Sequence, residues 1–438
     1  MPNATPMVEH ARFDTREFYA NPYETFAELR RDAPVYWYEP GQFWVLSRYD
    51  DIRHVNSHPE LFSSESGFTL TDNVFPEQVA DLLDDEQRAR LDRGEMPRAE
   101  LRREVSLARH RKAAVDGEPA GARITIVDPP HHTRLRKFVS KAFTPRMVSH
   151  YHDEIEQIIF GALDAIRPGE TVDFVKAVAV PIPSEVIAVF LGVPPEDRAQ
   201  FVGWSDDVAL TFDEGNREAE QRLRQSSAAM YRYVRDRLHL RRDEPAEDML
   251  TAMLNAEIDG DRLSEPDMVA FANTFLFAGN ETTRHVISGM ARLLAQHPDQ
   301  RRLLIEQPDL IPTAIDELIR YLSPVWGLLR TATERTEIAG QTIEAGDLLY
   351  VLYASANRDE TQWENAGVLD LTRLPSPPHM GFGWGPHRCL GSNLARLEAR
   401  MALEHLLDRF PEFELAGDPV RLNSATFNGL TSLPMVMK

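Results

Sequence analysis

Residues 379–391 read His-Met-Gly-Phe-Gly-Trp-Gly-Pro-His-Arg-Cys-Leu-Gly, and this segment indicates the fold more strongly than any other. Four glycines and a proline exclude a regular helix or strand, so the backbone is shaped for close approach to another group. Cys389 stands just before the next predicted helix, whose N-terminus is expected to lower the pKa of the thiol. His387 and Arg388 add positive charge beside it. A thiolate surrounded by glycines indicates a nucleophile or a metal ligand.

Other interpretations of the lone cysteine have to be weighed against these two. A single cysteine is most often a small buried apolar residue. The glycine pair resembles a dinucleotide-binding loop only superficially, because Pro377-Pro378 occupies the place of the preceding strand. A zinc site needs more ligands than two histidines and one cysteine supply. A nucleophile formed by Cys389 and His387, as in a hydrolase or transferase, stays open as an alternative.

The composition of the chain bounds its class. It has 438 residues, 42% hydrophobic and 27% charged, as is typical of a globular protein. With 48 basic and 69 acidic residues the formal net charge is −21, which argues against nucleic acid as the main partner. A single cysteine excludes an internal disulfide and fits a reducing cytosol. We find no signal peptide and no bilayer-spanning segment, so we predict a soluble, cytoplasmic protein without a membrane anchor.

Helical patterns dominate the chain from residue 133 onward. We predict a long helix from Ser264 to about Gln296, with Ser264 as its N-cap and His297-Pro298 as its end. A helix of this length would span about 50 Å. Strand-like segments are short, and residues 84–112 are densely charged, which indicates a solvated helix or a lid. No change in composition marks a boundary, so we predict one mainly α domain over residues 1–438 with a small β part.

The order Phe382-Gly-x-Gly385-x-His387-x-Cys389-x-Gly391 resembles the heme-binding loop of the cytochrome P-450 family, in its bacterial form. This resemblance implies a triangular, mainly α fold with a long central helix, and heme b (iron protoporphyrin IX) as the cofactor. It also implies that the Cys389 thiolate is the proximal ligand of the heme iron. Such a ligand donates electron density that favours O–O cleavage.

A second motif, Glu317-Leu-Ile-Arg320, resembles the Glu-x-x-Arg pair of the same family. By itself it predicts only a salt bridge between residues three apart on a helix, worth a few tenths of a kcal/mol when exposed. The resemblance implies a structural ion pair with a third member, normally found in an Asp-Pro-x-Arg-Phe stretch. That stretch is replaced here by residues 364–373, and Arg373 is the candidate for the third member.

A third motif, Ala278-Gly-Asn-Glu-Thr-Thr283, lies in the middle of the predicted long helix. Glycine and threonine are poor helix formers, so we expect the helix to loosen here. Nearby phenylalanines indicate burial, and a buried glutamate beside a hydroxyl is a candidate functional site. The resemblance implies an oxygen-binding groove in which Glu281 and Thr282 form an acid–alcohol pair that relays protons to dioxygen.

A fourth motif, His132-Thr-Arg-Leu-Arg136, places two basic side chains four residues apart on one helix face. Two cations suit an anionic ligand, although a solvated basic face is the alternative. The resemblance assigns His132, Arg136, Arg330 and His387 to the two propionates of the heme. His379 stands at another position that is often near the heme.

The resemblance implies a monooxygenase that inserts one oxygen atom into a hydrophobic organic substrate, by hydroxylation or epoxidation, and releases the other as water. Steroids, fatty acids, terpenoids and other secondary metabolites are candidate substrates. We expect no flavin or nicotinamide domain, so electrons would come from a separate ferredoxin and ferredoxin reductase. Two alternatives come from other classes: a heme-binding sensor or carrier without catalysis, and the cysteine–histidine hydrolase or transferase.

Two further expectations concern contacts. One stretch of the chain contains five basic residues and no acidic one: Arg134, Arg136, Lys137, Lys141 and Arg146. Together with Arg388 and Arg396, this basic run is expected to attract an acidic ferredoxin. Candidate substrate contacts are Phe275, Ala278, Val325, Trp326 and residues 427–430. Trp326 would narrow the pocket if it pointed over the heme, and the alternative is that it packs in the core.

Overall fold

The computed structural model describes residues 17–65, 83–93, 122–143, 145–209 and 217–438, together with a few single positions between residues 8 and 104. Helices are numbered in chain order through these residues. They are α1 (Tyr23–Asp32), α2 (Tyr49–Ser57), α3 (Asp85–Asp92), α4 (His131–Val139), α5 (Pro145–His150), α6 (His152–Asp164), α7 (Pro181–Phe190), α8 (Pro195–Ala209), α9 (Arg217–Asp243), α10 (Met249–Asn255), α11 (Glu265–Gln296), α12 (Pro298–Glu306), α13 (Ile311–Leu322), α14 (Tyr353–Ala356) and α15 (Ser392–Arg409).

The strands of the described residues are short and form a minor part of the fold. They are β1 (Val35–Tyr38), β2 (Phe43–Leu46), β3 (Phe62–Ser63), β4 (Thr171–Asp173), β5 (Glu257–Ile258), β6 (Asp261–Arg262), β7 (Leu328–Ala332), β8 (Thr336–Ile338), β9 (Gln341–Ile343), β10 (Leu348–Val351), β11 (Phe413–Leu415), β12 (Val420–Arg421), β13 (Leu430–Ser432) and β14 (Pro434–Met437). One mixed sheet has the order β1-β2-β10-β7-β3, and β14 lies between β11 and β4 in another.

The long helix α11 confirms the prediction made from its capping residues. The Ser264 hydroxyl accepts a hydrogen bond from the Asp267 N–H at 3.2 Å, which satisfies one of the free donors of the first turn. At the other end the His297 N–H donates to the Leu293 carbonyl at 2.8 Å. Residues 283–291 are buried all round, because α7, α9, α13 and α15 pack against the helix. It is therefore the centre of the α-helical core.

An aromatic cluster lies between α1 and the mixed sheet and includes Trp326. This indole is 1% exposed, and its ring centroid lies 5.8 Å from that of Tyr19 and 6.3 Å from that of Phe26. The backbone N–H of Trp326 donates to the Thr426 carbonyl at 2.9 Å, which joins the segment before β7 to the segment before β13. Trp326 is therefore a core residue, and the alternative interpretation of this side chain is the right one.

Most of the charged region lies outside the described residues. Its described part contains α3, whose N-cap Asp84 accepts from the Gln87 N–H at 2.8 Å in a reciprocal capping box. In the same described part, Arg90 forms an ion pair with Glu100 at 2.7 Å. As for membranes, no helix of the described ranges combines the length and the apolar composition that a bilayer span requires.

Candidate functional site

The cysteine loop is held in a tight turn against the last turn of α2. The Cys389 N–H donates to the Phe382 carbonyl at 2.8 Å. Gly383 and Gly385 have φ angles of +67° and +71°, a backbone region that favours glycine. A Cβ atom on Gly385 would lie 1.9 Å from the backbone oxygen of Asn56, so a larger residue cannot be placed there without moving α2. The glycines thus allow the close approach that the sequence predicts.

The surroundings of Cys389 determine the ionisation of its thiol. The side chain has accessible surface, but it is surrounded by protein atoms that replace most of the water around it. This burial raises the pKa of the thiol. The sequence predicts a lowered pKa, and this expectation is wrong for the protein alone. Burial is the largest effect, and it outweighs the backbone N–H of Gly391 and the nearby arginines, which lower the pKa. A coordinated metal ion is the kind of group that deprotonates such a thiol.

Two histidines of the sequence motifs meet beside this loop. The rings of His132 and His387 have centroids 4.2 Å apart. Burial lowers the pKa of His132 to about 4 and that of His387 to about 3, so both are neutral near pH 7 and His387 adds no positive charge. His132 Nδ1 and His387 Nε2 are buried without a hydrogen-bond partner in the described structure. Buried ring nitrogens of this kind are unusual, because most polar groups in a protein interior are paired.

Arg136 and Arg330 reach the same place from α4 and β7. Arg136 Nη1 donates to the Pro386 carbonyl at 2.8 Å, and Arg330 Nη2 donates to Asn56 Oδ1 at 2.9 Å. Both arginines act on the His387 imidazole and lower its pKa, as burial does more strongly. Within the described residues the two guanidinium groups are bonded only to neutral oxygens. We call the group His132, Arg136, Arg330 and His387 the open cluster.

The donors of this region fit heme b. Two guanidinium groups and two buried imidazoles with orphaned nitrogens suit the carboxylates of two propionates. The thiol of Cys389, in a loop whose glycines admit a close neighbour, suits the iron. The structure therefore brings together every residue that the sequence assigned to the cofactor. Their direct contact with it stays a prediction.

The Thr282 segment is the accessible part of the middle of α11. Ala278 is exposed and Thr282 is partly exposed, although the turns on either side are buried. Thr282 Oγ1 donates to the Ala278 carbonyl at 2.8 Å, and the helix continues unbroken from Glu265 to Gln296. The expected loosening is absent from this described helix, because the hydroxyl satisfies the carbonyl four residues earlier within the helical geometry.

Glu281 is held by two residues of its own helix. It is 2% exposed, His285 Nε2 donates to its Oε1 at 2.9 Å, and Arg284 Nε lies 3.4 Å from its Oε2. Burial raises the pKa of this carboxyl, but Arg284 and His285 outweigh burial, and the pKa is lowered. The Glu281 carboxylate therefore contacts residues that follow it in the helix, whereas the Thr282 hydroxyl bonds to a residue that precedes it. Sequence reasoning missed Arg284 and His285, although their spacing of three and four residues is the signal for such contacts.

The Glu-x-x-Arg pair is a closed network. Arg320 donates to both oxygens of Glu317, at 2.7 Å and 2.8 Å, and to the Asn357 and Ala366 carbonyls. Arg373 Nε donates to Glu317 Oε1 at 3.2 Å. Arg373 is thus the third member, as the sequence suggested, even though the surrounding stretch departs from the family pattern.

His379 is not part of the open cluster. Its Nε2 donates to Asp316 Oδ1 at 2.9 Å, and its Nδ1 accepts from the Gly381 N–H at 3.0 Å. Arg396 donates to the same Asp316 oxygen at 2.9 Å. Burial lowers the pKa of His379, so the ring is a neutral support for the loop backbone. Arg396, expected in a basic patch, has a carboxylate partner instead.

The structure also differs from the sequence-based expectation for part of the basic run and for one candidate substrate contact. Arg134 forms an ion pair with Asp261 at 2.6 Å, whereas Lys137 is exposed; the side chains of Lys141 and Arg146 lie outside the described residues. Phe275 packs against Phe143, with ring centroids 4.9 Å apart, and belongs to the core. Ala278, another of the candidate contacts, is exposed on α11.

Known proteins resemble this chain in sequence and in fold. The profile of the cytochrome P-450 family matches residues 198–434. Steroid C26-monooxygenase from Mycobacterium tuberculosis is 33% identical, covering 98% of this chain and 92% of that protein. Linalool 8-monooxygenase from Pseudomonas putida is 33% identical, covering 95% of each. The crystal structure of CYP109E1 from Bacillus megaterium with corticosterone has a TM-score of 0.80 and 28% identity, covering 96% of this chain and 99% of that one.

Proposed function

This chain belongs to the cytochrome P-450 family, and from that membership we propose that it hydroxylates or epoxidises a hydrophobic organic substrate. It is an oxidoreductase, a monooxygenase that binds heme b. The observation that carries the proposal is the open cluster beside Cys389: two neutral histidines with orphaned nitrogens and two arginines bonded to neutral oxygens. We propose Cys389 as the iron ligand and the open cluster as the binding site of the propionates.

Heme b, when bound, supplies the redox chemistry that activates dioxygen. The residues of the chain then have distinct tasks. Cys389 would hold the iron from the loop side, and the open cluster would orient the cofactor through its propionates. One oxygen atom enters the substrate, and the other leaves as water with two electrons and two protons.

We propose that Thr282 and Glu281 govern the delivery of these protons. Thr282 is partly exposed, and when its hydroxyl turns from the Ala278 carbonyl it can donate toward dioxygen. Glu281 is anionic, and its Oε1 is bonded to His285, whereas its Oε2 has no hydrogen-bond partner in the described structure and can accept a proton. The alcohol therefore acts directly, and the carboxylate acts as a proton reservoir behind it.

The substrate proposal rests on a group of apolar side chains that includes Phe277 and Phe427, and on the relatives. Phe277 and Phe427 have ring centroids 6.5 Å apart, and Val325 forms an isolated β-bridge with Phe427. A steroid or terpenoid is favoured over a charged metabolite, because the named relatives act on a steroid and on linalool. This analogy gives a class of molecule and no single compound.

We further propose that the protein acts in the cytoplasm as a single domain and receives electrons from a ferredoxin and its reductase. Lys137 and Arg388 are exposed near the cysteine loop, and they suit an acidic partner. Arg134 and Arg396 are excluded from this role in their paired state, because their charges are compensated by Asp261 and Asp316.

The absorption spectrum of the dithionite-reduced protein with carbon monoxide tests the proposal. A strongly red-shifted Soret band is expected, and Cys389→Ser should lose it while heme stays bound in part. Retention of the shifted band in Cys389→Ser would remove this residue as the ligand. A colourless protein would support the cysteine–histidine hydrolase or transferase instead.

The yield of hydrogen peroxide per electron separates a monooxygenase from a sensor and tests the role of Thr282. Without the hydroxyl, protons are delivered less selectively, so Thr282→Ala should release more peroxide and less product. Thr274→Ala is the control, because Thr274 also donates to the carbonyl four residues earlier, at 2.8 Å, but outside the motif. An equal yield of hydrogen peroxide per electron in both variants would show that protons arrive by another route.

A further inference from the structure

Asn56, in the last turn of α2, is a buried amide with every contact defined. It is 4% exposed, and its Oδ1 accepts from Arg330 Nη2 at 2.9 Å and from the Tyr353 hydroxyl at 3.3 Å. Its Nδ2 donates to the Ile52 carbonyl at 3.0 Å. The amide orientation is fixed by these partners, because a guanidinium can only donate and a carbonyl can only accept.

The important property of the bond between Asn56 and Arg330 is that the amide carries no charge. Arg330 is 4% exposed, and its other bonded nitrogen, Nη1, donates to the Leu329 carbonyl at 2.7 Å. The guanidinium is therefore oriented by neutral oxygens alone, whereas Arg320 is oriented by the carboxylate of Glu317. An aspartate at residue 56 would have the same size and could accept the same two bonds, but it would compensate the charge of Arg330.

The backbone at Asn56 links the same turn to the cysteine loop. Its carbonyl oxygen occupies the position that a Cβ on Gly385 would need, two residues before His387. This contact involves the main chain, so it is kept when the side chain of residue 56 is replaced. A change of side chain consequently tests the bond to Arg330 without removing the support of the loop.

We propose that Asn56 is a positioning residue for cofactor retention: it orients Arg330 through an uncharged amide, so that the guanidinium keeps its charge for a heme propionate. The inference rests on the proposed role of Arg330 in the open cluster. It also explains why an amide stands where a carboxylate would make the stronger bond to arginine.

The rate of heme transfer from the holoprotein to an excess of apomyoglobin tests this inference without measuring turnover. Asn56→Asp should transfer heme about tenfold faster than the wild type, because the new carboxylate competes with the propionate for Arg330. Asn56→Ser removes the bond but adds no charge, so a smaller acceleration of about threefold is expected. Ser57→Asp is the matched control, since it adds the same charge at the next, exposed residue; it should stay within about twofold.

Arg330→Leu distinguishes the inference from the function on which it rests. If Arg330→Leu accelerates transfer while Asn56→Asp behaves like Ser57→Asp, the role of Asn56 is overturned and the role of Arg330 stands. If Arg330→Leu transfers heme at the wild-type rate, the propionate assignment fails, and the inference fails with it. Should Asn56→Asp not accumulate as folded protein, an unaltered rate in Asn56→Ser would equally overturn the proposal.

Discussion

The arginines of this protein occupy two kinds of interior site, and the comparison between them separates structure from function. In the closed network, Arg320 donates to a carboxylate and two carbonyls, and Arg373 adds a second cation to Glu317. In the open cluster, Arg136 and Arg330 have neutral oxygens as partners, and two adjacent imidazoles have orphaned nitrogens. The closed network has the partners of a structural ion pair, whereas we propose that the unpaired atoms of the open cluster bind the cofactor.

The two sites also differ in what the loss of one member leaves behind. Removal of Arg320 leaves the carboxylate of Glu317, 3% exposed, with the longer 3.2 Å bond from Arg373, and breaking such a buried pair typically costs about 3–5 kcal/mol. Removal of a histidine from the open cluster leaves no uncompensated charge, since both rings are neutral. We therefore expect opposite consequences for the protein without its cofactor.

The largest effect is expected for Arg320→Met. The free energy of unfolding of the apoprotein should fall by about 3–5 kcal/mol, a large part of the total stability of a typical domain. Urea denaturation followed by circular dichroism measures it. Arg373→Met is the comparison, because Arg373 is more exposed and makes the longer bond to Glu317; it should lose less. Equal stability of Arg320→Met and wild type would contradict the structural role of the network.

The opposite result is expected for His132→Leu. Replacement of a buried imidazole by an apolar side chain should change the free energy of unfolding of the apoprotein by less than about 1 kcal/mol. The heme content per chain after gel filtration should nevertheless fall several-fold, because a propionate donor is lost. A variant that is destabilised as apoprotein but retains its heme would place His132 with the structural residues.

These two sites also show what a sequence can predict. The cysteine loop and the ends of α11 were predictable, because glycines and capping residues are local signals. The meeting of Asn56 with Arg330 was not, since these residues are far apart in the chain and neither has a pattern that predicts the contact. Trp326 illustrates the same limit: its type fits a pocket or a core, and only packing decides.

The pKa of the Cys389 thiol was predicted with the wrong sign for a related reason. Local features, a helix N-terminus and adjacent basic residues, favour the thiolate, whereas burial is a property of the whole fold and is the larger effect. Likewise, the sequence predicts that Arg134 and Arg396 belong to a basic patch, but Asp261 and Asp316 form ion pairs with them. The sequence shows where the charged residues stand in the chain, but it does not show which residues pair with them in the fold.

A third kind of interior site sharpens the comparison, because no cation among the described residues pairs with Glu398. It is 2% exposed, its Oε2 has no hydrogen-bond partner in the described structure, and burial raises its pKa to about 8. Between the ordinary glutamate pKa near 4.5 and about 8, the folded protein holds a proton that the unfolded chain has released. The contribution of this group to stability therefore decreases as the pH rises through that window.

Glu398→Gln should remove this pH dependence. The difference in free energy of unfolding between the variant and the wild type should shift in favour of the variant from pH 5 to pH 8, by up to about 1.4 kcal/mol per pH unit. Urea denaturation at several pH values measures it. Glu404→Gln on the same helix, at a more exposed glutamate near Arg400, should show no such trend. A flat difference for Glu398→Gln would indicate that the carboxyl has an ionic partner after all.

The smallest effect is expected for Arg134→Gln, which breaks an ion pair at the surface. Its loss should change the free energy of unfolding by at most about 1 kcal/mol, because exposed ion pairs are weak. Reduction by ferredoxin should be unchanged as well, whereas Lys137→Glu should slow it at low ionic strength. Stopped-flow reduction measures both. A slower rate in Arg134→Gln than in Lys137→Glu would return Arg134 to the docking surface.

The pairing of β14 with β4 has a consequence for protein synthesis. β14 is translated after the cysteine loop, yet its partner strand β4 lies far earlier in the chain. Gly429, just before β13, lies against the ring of His285, so this part of α11 is enclosed only when the same late segment arrives. A nascent chain stalled after α15 would present β4 as an unpaired edge. Cofactor loading is therefore expected to follow translation of residues 427–437, and ribosome stalling before them should yield aggregation-prone, heme-free chains.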